Sequence, residues 1–310
     1  MADPTPQNQE LSFLAGIFTA CLCALFGANA VAIKISLTGV GVFTTAGLRF
    51  SMASVAVCLW ARMTGRSFTI NKRQIRQLLI ISTIFTVQLS LFYLGLSKSN
   101  ASRGTLLVNL QPFFTLFLAH FFIPGDQMTT RKIVGILMGF AGVAFVFLER
   151  KGVAADFQAG DLMILAASFL WACSAVYMKR IIHAFQPFHM VLYPMMFSAV
   201  FFFIEGFLWD GGMIKHINGE VLCALLYQGL VTASFCFVAW ITLLQKYGAV
   251  ALHSFIFIMP ISGVALGGLI LGEPITYKIV IAMVLIVSGI MVVHLKQKKL
   301  IPLFPLGRNV

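Results

Sequence analysis

The sequence predicts an all-α integral membrane protein whose ten transmembrane helices form two five-helix repeats, inverted relative to each other. Three observations carry that prediction. Of the 310 residues, 59% are hydrophobic and only 10% are charged, against about 25% charged in a typical soluble domain. Apolar runs of about 20 residues, enough to cross a hydrocarbon core, recur ten times along the chain. The second half then repeats landmarks of the first after five such runs. Because five is odd, the two halves must face opposite ways.

The runs fall at 12–34, 42–61, 77–96, 103–123, 132–148, 161–180, 189–209, 220–243, 249–271 and 277–295. Helices alone satisfy the backbone of such runs inside a bilayer. The connections are short, so no aqueous domain is inserted. Residues 1–10 are polar and acidic and lack the basic start of a secretory signal. The first run is therefore read as a retained membrane helix, although Ala28-Asn29-Ala30 has the small-residue pattern of a cleavage site. The last ten residues, 301–310, form a cytoplasmic tail in this reading.

The net charge of +12 would suggest nucleic acid in a soluble protein. Here the cations sit in the short connections, where they set topology, and nucleic acid is excluded as a partner. With the amino terminus inside, fourteen Lys and Arg residues fall on the inner side, among them Arg62, Arg66, Lys72, Arg73 and Arg76, and six on the outer. The positive-inside rule thus places both termini in the cytoplasm. The six cysteines all lie in apolar runs without zinc-site spacing and read as small buried hydrophobes with reduced thiols. No metal or cofactor is expected.

The internal repeat aligns Phe26 to Lys34 of the first run with Trp171 to Lys179 of the sixth. It also aligns Ala101 to Pro112 of the fourth with Ala249 to Pro260 of the ninth. This defines a first unit over 1–150 and a second over 151–300. Inversion puts Lys34 and Lys179 at opposite membrane faces and leaves Phe26 and Trp171 near mid-depth. Such a duplication builds an inward and an outward gate from one design, which reads as a solute carrier.

Polar side chains inside apolar helices are costly and tend to face a cavity. Asn29, Gln88, Asn109, Gln111, Ser174, Gln228 and Thr232 are the candidates, with Phe26, Tyr93, Trp171, Tyr177 and Trp240 as aromatic walls. Each polar residue could instead make a helix–helix hydrogen bond. Pro112 and Pro260 each free the carbonyl four residues back, those of Val108 and Ile256, and are candidate hinges. Arg49 stands inside the second run with no carboxylate at its depth. It, Lys34 and Lys179 are candidate anion contacts or gates, since guanidinium pairs with carboxylate or phosphate. Asp161, Glu205 and Glu220 fall near run ends, leaving His120 and His253 as the ionisable groups eligible for proton coupling. Facilitated, gradient-driven transport or exchange is therefore favoured over obligate proton coupling. Gly135/Gly139 and Gly263/Gly267 form small-xxx-small steps that pack either within the chain or between two, leaving monomer and homodimer both open.

Taken in order, several motifs resemble the drug/metabolite transporter superfamily, in its ten-helix branch with two EamA-type repeats. They are the aromatic-to-Lys34 stretch, Leu48-Arg49-Phe50, Phe92 to Leu96, Leu244 to Ala251, Met259-Pro260 and Leu271-Gly272-Glu273-Pro274. The first repeat departs at Ile123 to Gln127, where Asp126 takes the place of the usual glutamate. The resemblance implies a membrane carrier, commonly an exporter of amino acids or related metabolites, in the cell inner (plasma) membrane. An inward carrier or exchanger of anionic or nucleotide-like metabolites, using Arg49 and Arg103, is the alternative. An intramembrane enzyme would need paired carboxylates or a nucleophile–base set at membrane depth, and none is seen.

Overall fold

The structure, a computed structural model, describes residues 11–123, 128–148, 155–181, 184–186, 188–247, 252 and 255–294. His253, Ser254, Asp126 and the 301–310 tail lie outside them. Helices account for nearly all of it. In chain order they are α1 (Phe13–Ser36), α2 (Val42–Met63), α3 (Lys72–Lys98), α4 (Ala101–Val108), α5 (Gln111–Phe122), α6 (Thr130–Phe147) and α7 (Ala155–Ile181). Then come α8 (His189–Trp209), α9 (Gly219–Leu226), a π-helical segment (Tyr227–Cys236), α10 (Phe237–Tyr247), α11 (Ile258–Leu271) and α12 (Tyr277–His294). Among the described residues the only β pairing is one isolated bridge, Val40 with Ile214.

Local chemistry sets the boundaries. Ser12, Asn71, Asn100, Thr129 and Asn218 each accept a backbone N–H at a helix start, the usual role of such side chains. At Asn71 the bond is reciprocated by Gln74 in a capping box, so α3 starts at 72 and not at the expected 77. Gly272 ends α11 in the left-handed conformation that glycine adopts without strain.

Among the described residues, eight helical spans are long and apolar enough to cross a bilayer, with α4–α5 (Ala101–Phe122) and Gly219–Trp240 each taken as one. Two shorter apolar helices, Ile258–Leu271 and Tyr277–Val293, accompany them. Three of the ten expected runs are, among the described residues, not continuous α-helix, the ninth because residues 255–257 form a turn ahead of α11. The fourth breaks at Asn109 and Leu110 into α4 and α5. Pro112 cannot donate to the carbonyl of Val108, and Ser168 Oγ of α7 meets that carbonyl at 3.4 Å. The eighth run passes through ten residues of π-helix, a feature often found at functional sites. Large apolar side chains such as Phe13, Leu137, Phe207 and Leu269 point outward, as lipid contact requires.

The packing has a pattern. α1 packs on α11, and its repeat-mate α7 packs on α4 and α5; α3 packs on α7, while the α9–π segment packs on α1. The remaining mates pack on each other, α2 on α8 and α6 on α12. Mates run antiparallel. Lys34, near the end of α1, donates to the carbonyls of Leu96 and Ser99 at the end of α3, and Gly95 of α3 touches Gly160 near the start of α7. Asp210, just beyond α8, binds the start of α2, and Lys278 of α12 donates to Leu148 O at the end of α6. The two ends of the bundle are called below the Lys34 end and the Arg66 end.

The glycine steps pack within the chain. Gly135 lies against Gly289 of α12 and Gly139 against Phe113, while Gly263 and Gly267 receive Thr105 and Ser102 of α4.

Candidate functional site

The discontinuities in the fourth and eighth runs border one cavity of about 370 Å³, within the range of small-molecule sites. It is lined from both halves of the chain. α1 contributes Phe26 and Asn29, α2 Arg49 and Phe50, and the α4–α5 break Thr105, Asn109, Gln111 and Pro112. The second half adds Trp171, Met195, Thr232, Phe237, Trp240 and Met259. From α3 come Phe85, Leu89 and Phe92, spaced to share one helix face.

The polar groups are held by specific bonds. Asn109 Nδ2 donates to Thr105 O at 2.7 Å and so closes the last turn of α4. Gln111 Nε2 donates to Thr115 Oγ1 at 3.1 Å. Thr232 Oγ1 reaches Asn29 Oδ1 at 3.2 Å, joining the π segment to α1. Phe26 and Trp240 meet edge-to-face with centroids 6.2 Å apart. Arg49 Nη1 donates to Tyr93 Oη at 3.2 Å, and its guanidinium carbon lies 5.0 Å from the Phe50 ring centre. Among the described residues, no Asp or Glu lines the cavity.

Of the residues singled out in the sequence, Phe26, Asn29, Arg49, Asn109, Gln111, Pro112, Trp171, Thr232 and Trp240 come together here. Tyr93 and Gln228 stand one layer behind, fully buried, with Tyr93 Oη donating to Gln228 Oε1 at 3.2 Å. Gln88 and Ser174 are buried but do not line the cavity, and the Gln88 amide has no hydrogen-bond partner. Pro260 is buried in the first turn of α11. Lys179 is exposed at the end of α7. His120 accepts a backbone bond from Met128 at an exposed connection, away from the cavity.

Several functional features escaped sequence reasoning. Thr105, Met195, Met259 and the α3 aromatic face look like ordinary core residues in a sequence. The π segment carries no compositional marker. Asp161 reads as a helix-end residue in the sequence, yet it is fully buried and ion-paired with Arg103. Arg103 Nε donates to it at 2.9 Å, and Ser99 Oγ also donates to it. Arg103 is therefore committed to Asp161 and does not face the cavity.

At the Lys34 end, carboxylates hold the helix starts. Glu273 accepts from the amides of Ala101 and Ser102 at 2.6 and 2.8 Å. Asp210 accepts from those of Phe43 and Thr44 at 3.1 and 2.8 Å. Carboxylates at helix N-termini are favoured by both the dipole and the unsatisfied N–H groups. Buried Ile33, Leu96 and Ala101 fill the space between. From there the cavity runs past mid-depth toward the Arg66 end, as far as Trp240 of α10.

Comparison with known proteins gives one consistent picture. A family model described as the EamA-like transporter family matches residues 14–148 and again 158–295. The uncharacterized transporter YoaV of Bacillus subtilis (strain 168) is 24% identical over 279 residues, covering 89% of this chain and 94% of that protein. A probable amino-acid metabolite efflux pump of Escherichia coli (strain K12) is 23% identical over 287 residues, covering 89% and 93%. A solved crystal structure superposes with a TM-score of 0.68 at 18% identity, over 91% of this chain and 97% of that one. That last likeness concerns the fold alone.

Proposed function

The chain belongs to the EamA-like transporter family, a family of multi-pass membrane proteins, and from that premise we propose a secondary carrier that exports small polar metabolites. The solutes are amino acids or related compounds, moved by alternating access across the cell inner (plasma) membrane. In this reading the chain crosses the bilayer ten times as two inverted repeats, 1–150 and 151–300, with both termini cytoplasmic. The antiparallel packing of repeat-mates supports the inversion. The basic residues around Arg66 support a cytoplasmic position for that end.

The observation that carries the proposal is the cavity itself. It is lined from both halves and extends toward the Arg66 end, while carboxylates tie helix starts together at the Lys34 end. With the Arg66 end cytoplasmic, this is the conformation that loads solute from inside. Family membership and relatives named as transporters and an efflux pump point the same way, and away from an enzyme. Breaks at Pro112 and in the π segment supply the backbone freedom that rocking between states needs.

Counterflow into proteoliposomes tests this. Preloaded unlabelled solute should accelerate uptake of the labelled form, and a channel or enzyme would show no such exchange. Trp171→Ala and Asn109→Ala should each cut the rate about tenfold or more with membrane expression intact, since each removes on the order of 1.4 kcal/mol of solute contact. Native rates in both variants would refute the cavity as the transport site.

A further inference from the structure

We propose that Arg49 is the anchor for a solute monocarboxylate, making this cavity selective for carboxylate-bearing solutes with apolar bodies and against cations. The inference rests on the carrier reading above and names the solute class for the same site.

The geometry points to a guanidinium prepared for a ligand. Gln228 Nε2 donates to Ser36 Oγ at 2.7 Å and to Ala32 O at 3.2 Å, which fixes the direction of its amide. Its Oε1 therefore faces Tyr93 and accepts the phenolic proton. The Tyr93 oxygen, its hydrogen so committed, presents lone pairs to Arg49 Nη1. The Phe50 ring supports the guanidinium from one side. One nitrogen is thus tethered, while Arg49 Nε is buried with no hydrogen-bond partner. The edge bearing Nε is a side that pairs with both oxygens of a carboxylate.

Charge balance narrows the class. Among the described residues, the cavity wall holds this cation and no carboxylate. A buried charge calls for a counter-charge. A carboxylate neutralises it one for one. A phosphate ester carries about −1.5 to −2 and would leave excess charge among Phe26, Phe85, Trp171 and Trp240, while Arg103 is held by Asp161. A cationic solute meets like charge.

The test uses four probes with one phenylalkyl skeleton on purified full-length protein in nanodiscs: 3-phenylpropionate, L-phenylalanine, 3-phenylpropylamine and phenethyl phosphate. The two carboxylates should bind, and the amine and phosphate should bind at least tenfold more weakly. Arg49→Gln should weaken carboxylate binding about 10- to 100-fold, the loss expected for a charge-assisted pair. Arg49→Lys, which keeps charge without the fork, should fall between and guards against a folding defect. Tyr93→Phe, a positioning change, should narrow the carboxylate-to-amine ratio severalfold. Equal binding of carboxylate and amine, stronger binding of the phosphate, or wild-type selectivity in Arg49→Gln would overturn the proposal. If that last result comes with intact counterflow, the carrier reading survives without the anchor; if no solute exchanges at all, the carrier reading itself has failed.

Discussion

At the Lys34 end, helix starts are gripped by carboxylates: Glu273 on α4, Asp210 on α2, and Asp161 on the Arg103 side chain. At the Arg66 end, the described contacts are of another kind. Tyr193 Oη donates to Phe68 O at 2.8 Å, the His189 ring meets Ser67 O, Gln74 reaches Ala184 O, and Arg66 stacks over Trp60 at 4.5 Å. Charge-assisted bonds are about twice as strong as neutral ones and demand closer geometry. The contrast indicates which end dominates the free energy of this conformation. Opening the Lys34 end breaks several strong bonds together, whereas the Arg66 end is held by contacts that exchange at low cost.

Removing one partner of the buried pair probes this most severely. Asp161→Ala strands the Arg103 charge and should cost about 3–5 kcal/mol, read as a large fall in melting temperature in detergent. Adding Arg103→Ala should restore much of it, and a double variant no better than the single would show that the pair does not fasten this end. Glu273→Gln is milder. An amide oxygen accepts at one atom where the carboxylate used two, so about 1–2 kcal/mol should be lost. The conformational balance should shift with it. A cysteine replacing Thr105 should then gain reactivity toward an impermeant reagent applied outside, with a cysteine at the open position Gly219 as the externally reactive reference. Labelling of Gly219→Cys from the cytoplasmic side alone would reverse the orientation. At the other end, Tyr193→Phe deletes one neutral bond and should cost only about 0.5–1.5 kcal/mol, with Thr105 labelling unchanged. A Tyr193→Phe effect as large as that of Asp161→Ala would erase the distinction between the ends.

Legibility in the sequence followed the range of the interaction. Helix positions came through because apolar length is a local property. Pro112 announced an interruption because a missing N–H is written in one residue; the group meeting Val108 O, Ser168, was not, since it comes from a different helix. Matching Phe26 to Trp171 led to two cavity walls because a repeat carries three-dimensional information in one dimension. The Arg103–Asp161 pair was invisible for the opposite reason, as 58 residues separate two charges that each look like helix-end residues. Gln88 and Gln228 are indistinguishable by composition and local hydropathy, yet one is an unpartnered amide and the other orients Tyr93. The π segment depends on how its neighbours pack, and nothing in Tyr227 to Cys236 advertises it.

The meeting of α6 and α12 at Gly135 and Gly289 has a mechanical corollary. Backbone lies on backbone there: a Cβ on either glycine would come within 2.8 Å of the other's carbonyl oxygen. In the alternating-access cycle proposed above, exchange of conformations between the halves would map α6 onto α12 and carry this seam into itself, making it a fixed axle for the moving parts.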